Sequence, residues 1–131
     1  MPRRARLTDA TVDEVGRVLA EALDRPTKTE REFQEQIAQL ARQFGWMIVH
    51  HGGNQHRRAY YDTTGFPDLL MVSPTGRVLF RELKTDIGSL TPDQERWRRE
   101  LLNRHADYAV WRPTDWVDVV ATISNGKAAP S

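Results

Sequence analysis

The 131-residue chain contains no cysteine. Disulfides and thiolate metal sites are therefore excluded, and an intracellular, cytoplasmic setting is permitted. No apolar run approaches the ~20 residues that a membrane-spanning helix needs. The N-terminus lacks the apolar segment of a secretion signal. Neither sign of charge dominates: 19 Lys and Arg stand against 18 Asp and Glu, for a net charge of +1. Overall basicity thus gives no sign of nucleic-acid binding, and any positive surface must be local. Histidines are few, and none has the spacing of a zinc site. There are no internal repeats. What remains is enough for one domain with a real core.

Along the chain, Met1 to Arg6 is a short basic tail. Thr11-Val12-Asp13-Glu14 is a capping-box pattern, and Val12, Val15, Leu19, Ala22 and Leu23 then line one side of a helix that Pro26 ends. Thr27 to Phe44 reads as a second helix with the stripe Phe33, Ile37, Leu40, Ala41 and Phe44. Trp46 to His51 reads as a strand. Asp68 to Ser73 and Arg77 to Lys84 read as two more, joined by Pro74-Thr75-Gly76, a loop that suits a hairpin with Gly76 left-handed. Ile87 to Leu90 is a linker. Thr91-Pro92-Asp93-Gln94 starts a helix with a cap, a proline at the first position and Gln at the third. That helix runs to about His105 and is expected to bury Trp97, Leu101 and Leu102. A strand from Tyr108 to Arg112, a helix from Thr114 to Ile123 and a Gly/Pro/Ser-containing tail complete the chain.

The hairpin carries the chemistry. Its loop pairs Ser73 with Arg77, and counting back places Asp68 opposite Glu82. Lys84, two residues on, shares the face of Glu82. Opposed side chains on paired strands lie roughly 4.5–5.5 Å apart at Cβ. Two carboxylates that close repel unless a cation lies between them. A divalent cation flanked by a lysine is what phosphodiester cleavage requires. Taken alone, a Glu-x-Lys on a strand is more often a solvated charge pair.

Glu30 falls within about 40° of the centre of its helix's apolar stripe, taking 100° per residue, whereas Glu32 and Glu35 face solvent. Glu30 could therefore reach toward the sheet, or it could curl back in a capping box with Thr27. Between Arg42 and Tyr61 there is no acid. The segment from Gly52 to Tyr61 reads as a loop leading toward Asp68, with Asn54, Arg57 and Arg58 suited to phosphate contact.

The order of a helix Glu, Pro-Asp and Glu-x-Lys resembles that of the PD-(D/E)xK nucleases. The segments Thr29-Glu30-Arg31-Glu32-Phe33-Gln34, Gly65-Phe66-Pro67-Asp68-Leu69-Leu70, Arg81-Glu82-Leu83-Lys84 and Leu90-Thr91-Pro92-Asp93-Gln94 are similar to those of the VRR-NUC (virus-type replication–repair nuclease) domain. The resemblance spans roughly residues 27 to 123, leaving 1–26 as a tail and helix and 124–131 as a flexible tail. It implies an α/β, restriction-endonuclease-like fold: an α-β-β-β-α-β core with a central mixed sheet flanked by helices, here with an extra N-terminal helix. It also implies a Mg²⁺- or Mn²⁺-dependent deoxyribonuclease. Asp68, Glu82, the Leu83 carbonyl and Glu30 would hold the metal, Lys84 would assist catalysis, and Gln94 would support the site or touch substrate. For Gln94 a capping box with Thr91 is the competing explanation. Small members are similar to Holliday-junction resolvases, so branched DNA, a homodimer and a bacterial or phage-infected cell are expected. The alternatives are a flap, end-processing or restriction-type nuclease, or a DNA-binding scaffold that has kept the fold without turnover.

Overall fold

The stripe Phe33, Ile37, Leu40 and Ala41 is wholly buried on α1 (Glu30–Gln43). The computed structural model that shows this describes residues 14–17, 29–51 and 63–126. Helix α1 is followed by β1 (Met47–His50), β2 (Leu69–Val72), β3 (Val78–Leu83), α2 (Pro92–Asn103) and β4 (Asp107–Trp111). A 3-10 turn (Pro113–Asp115) then leads into α3 (Trp116–Asn125). The described elements give the expected α-β-β-β-α-β order.

The start of α1 differs from expectation. Two Thr-x-x-Glu frames overlap here, and the second one caps the helix. Glu32 N donates to Thr29 Oγ1 at 3.1 Å, and Thr29 N donates to Glu32 Oε1 at 3.0 Å. Glu30 is thus the first helical residue and takes no part in the cap. Thr27 lies outside the described residues.

The four strands form one sheet in the order β1-β2-β3-β4. Strands β1, β2 and β3 are antiparallel neighbours, and β4 runs parallel to β3. A parallel neighbour needs a crossover, which α2 supplies. The hairpin turn forms as read: Ser73 N donates to Arg77 O at 2.9 Å, and Gly76 adopts φ +93°. Ser73 Oγ accepts from Thr75 N and Arg77 N, which fixes the turn.

One sheet face makes the core. Leu69, Met71, Leu79, Leu83 and Trp111 meet α1 and the α3 residues Trp116, Val119, Val120 and Ile123. Trp46 stays just ahead of β1, with its indole N–H on Ile123 O at 2.9 Å. Val15, in the short helical stretch 14–17, packs partly buried against this core. The rest of the N-terminal stripe lies outside the described residues. Arg81 also points to this face; it is 5% exposed, bonds Asp107 Oδ1 at 2.9 Å and lies over the Trp111 ring.

Helix α2 covers the other face, where Trp97 meets Phe66 and Phe66 meets Phe80. It buries less than its pattern suggested. Trp97 and Leu101 are half-buried, and Leu102 is exposed. A helix resting against β4 leaves part of that face uncovered, so its apolar stripe ends at a rim. The last helix also starts later than expected, at Trp116, because Pro113–Asp115 forms the 3-10 turn. Among the described residues no helix is long and apolar enough to cross a membrane.

Candidate active site

Asp68 immediately precedes β2, and the β2–β3 register Leu69↔Arg81 carries it opposite Glu82. Both neighbouring strands hold it. Its carbonyl accepts from His51 N at 2.7 Å, and its Oδ2 accepts from Leu83 N at 2.8 Å. The loop ahead of it is equally constrained. Pro67 is fully buried. Gly65 has φ +87°, and a Cβ there would stand 2.5 Å from the Asp93 carbonyl carbon. Only glycine lets this loop lie against the first turn of α2. Trp97 latches the same contact through its indole N–H to Thr64 O at 3.0 Å.

Glu82 is 2% exposed. Its Oε2 accepts from Gln94 Nε2 at 2.9 Å, and the side chain hydrogen-bonds with Asp68. Burial pushes its pKa up to about 9; the hydrogen bond and the Asp68 charge add to this, and Lys84 opposes it. At neutral pH the pair therefore holds a proton, which removes the repulsion that two buried carboxylates would otherwise suffer. One oxygen of each is fixed by an N–H donor. The other oxygen of each is available to the shared proton or to a cation.

Gln94 forms the capping box and also reaches Glu82. Its Oε1 accepts from Thr91 N at 2.9 Å, and its backbone N–H donates to Thr91 Oγ1, completing the capping box. Its Nε2 meanwhile holds Glu82. An amide can accept on one side and donate on the other.

Lys84 is half-buried at the end of β3, with its N–H on Trp111 O at 3.1 Å. Glu30 is exposed as a residue, so the burial acting on its carboxyl is partial. Its pKa is raised first by that burial and then by Asp68, against the pull of Lys84. Glu30, Asp68, Glu82 and Lys84 thus share one electrostatic field, drawn from α1 and the hairpin. Among the described residues no three His, Cys, Asp or Glu side chains converge as a ready metal cage. The close pair is Asp68 and Glu82, with the Leu83 backbone beside them. Such hard oxygen donors suit Mg²⁺ or Mn²⁺.

Asn54, Arg57 and Arg58 lie outside the described residues. Sequence reasoning placed Tyr108 in a strand but did not foresee its surroundings: burial and then the Glu82 charge push its pKa up to about 12. Its place across from Phe80 depends on the β3–β4 register, which no local motif encodes. The Gly65–Asp93 contact was missed too, although a glycine beside Pro-Asp was a signal for close backbone approach.

The family model described as VRR-NUC domain matches residues 30–115, a span that contains Glu30, Asp68, Glu82, Lys84 and Gln94. A solved structure titled "VRR_NUC domain" aligns with a TM-score of 0.57 and 24% identity, covering 72% of this chain and 97% of the other. Among curated proteins nothing matches.

Proposed function

The chain belongs to the VRR-NUC domain family, with its nuclease-type fold, and from that membership we propose that it is a Mg²⁺- or Mn²⁺-dependent endonuclease acting on branched DNA. The observation that carries the reading is the buried Asp68–Glu82 pair, fixed by Leu83 N and Gln94 Nε2. A structural role alone gives no reason to bury two adjoining carboxylates.

Asp68, Glu82 and the Leu83 carbonyl would hold the cation, with Glu30 adding its charge. A divalent ion supplies Lewis acidity toward the phosphate and acidifies water. Asp68 and Glu82 would hold the ion as carboxylates, without the shared proton. Gln94 keeps Glu82 turned toward Asp68. Lys84 offsets the charge that builds on the phosphoryl oxygens as water attacks phosphorus and the P–O ester bond breaks. The attacking water gives up a proton, the leaving sugar oxygen takes one up, and one strand is cut. Asn54, Arg57 and Arg58 are assigned to contacts with neighbouring phosphates.

Preference for four-way junctions, and a homodimer that places one site on each of two strands, complete the reading. Closed two-fold pairing is the commonest way to supply a second site. The test is purified protein with Mn²⁺ against single-stranded, duplex, flap and four-way-junction DNA, with mass measured by light scattering. Paired, symmetric nicks in junctions by a dimer support it. A monomer that prefers flaps or free ends would replace the junction reading with the end-processing one. No cleavage of any substrate would overturn the nuclease reading.

A further inference from the structure

Three residues after Lys84 the chain presents Ile87, 94% exposed and the most exposed large apolar side chain among the described residues. Met47, Val49, Val78, Leu102 and Val117, the other exposed large apolar residues, sit within strands or helices. Ile87 alone of these stands at the tip of a turn. An isolated exposed apolar residue is ordinary on a protein surface. The bracing of this turn is not.

Gly88 N donates to Thr85 O at 3.3 Å, closing the turn over Asp86 and Ile87. Arg112 donates through one guanidinium nitrogen to both Thr85 O and Gly88 O, each at 2.6 Å. Asp86 Oδ1 accepts from Thr114 N at 3.0 Å, tying the turn to the start of the 3-10 turn. Gly88 also lies against the Lys84 stem: a Cβ there would stand 3.5 Å from Lys84 Cδ. A half-buried arginine and an aspartate are thus engaged in holding a surface turn whose tip makes almost no contact with its own protein. The tip is β-branched and stiff at χ1. The same turn backs the lysine of the candidate site.

Rigid apolar tips beside a DNA-cutting site have a physical use. Isoleucine is among the side chains that insert between base steps and unstack them. Insertion is least costly where stacking is already interrupted. We propose that Ile87 is a wedge that enters the DNA stack at a branch or break, so that the turn Thr85–Gly88 selects interrupted duplexes and presents the adjoining phosphodiester to Lys84. The proposal deepens the nuclease reading and rests on it.

The experiment uses the full chain in Ca²⁺ or EDTA with a four-way junction carrying 2-aminopurine at the branch. The analogue brightens when it unstacks. Wild-type protein brightens it, Ile87→Ser does not, and Ile87→Met retains most of the effect. In Mn²⁺, Ile87→Ser lowers the cleavage rate of branched DNA by roughly tenfold or more. It leaves single-stranded DNA, already unstacked, cut at the wild-type rate. Ile87 is exposed, so neither variant perturbs the fold. Brightening by Ile87→Ser equal to that by wild type, or equal losses on branched and single-stranded DNA, would overturn the wedge. Ile87-dependent brightening by a protein that cuts nothing in Mn²⁺ would support the wedge and overturn the nuclease reading.

Discussion

The Gln94 amide is shared between two tasks, and substitution separates them. Glu at the third position of a capping box still accepts from the cap residue's N–H. It cannot donate to Glu82. Gln94→Glu should therefore keep the cap, cost about 1–3 kcal/mol in urea unfolding through the lost bond to buried Glu82, and lose most cleavage. Equal cleavage by wild type and Gln94→Glu would show that the amide serves only the helix. Glu30 is open to the same kind of test. Because Thr29 and Glu32 form the cap, Glu30→Gln should slow cleavage more than Glu32→Gln or Glu35→Gln. Similar small effects from all three would remove Glu30 from the site.

Among the elements, the loop before β2 and the first turn of α2 depend on each other. Gly65→Ala adds a Cβ where φ is +87° and the Asp93 backbone is 2.5 Å away. It should destabilise by about 2 kcal/mol or more and disturb Asp68 and Gln94 together. Urea unfolding and cleavage rates check both; a neutral effect would mean that the loop and helix are not in contact. The hairpin itself was legible because its loop length and Gly76 determine the register, and the register brings Asp68 to Glu82. Other features were not. Two capping frames, from Thr27 and from Thr29, fit the same stretch, and only the packed helix distinguishes them. The contacts of Leu102 depend on how far α2 extends over the sheet. The pairing of β4 with β3 is a long-range choice that leaves no local pattern, so the approach of Tyr108 to Glu82 could not be read from its strand.

For the whole molecule, the proton held between Asp68 and Glu82 links folding to pH and to metal. Unfolded, Glu82 releases its proton near its ordinary value of 4.5; folded and metal-free, it keeps it to about 9. In this window the folded state binds the extra proton, so the Glu82 contribution to stability is present at low pH and lost as pH rises toward the folded value. In EDTA the Tm should fall from pH 5 to pH 9, and Glu82→Gln should flatten the slope. A rising Tm that Glu82→Gln leaves unchanged would contradict the shared proton. Mn²⁺ held by the Asp68–Glu82 pair would bind the folded form alone, and should raise the Tm, more at pH 8 than at pH 6. Asp68→Asn should abolish most of that rise.

The most direct measurement is the rate of phosphodiester cleavage against Mn²⁺ concentration, for wild type and Asp68→Asn with matched folds by circular dichroism. Wild type should show no cleavage in EDTA and a saturable rise with Mn²⁺. Asp68→Asn should be slower by about a thousandfold. Cleavage by wild type in EDTA, or by Asp68→Asn at the wild-type rate, would contradict the assignment of the Asp68–Glu82 pair as the metal-holding centre.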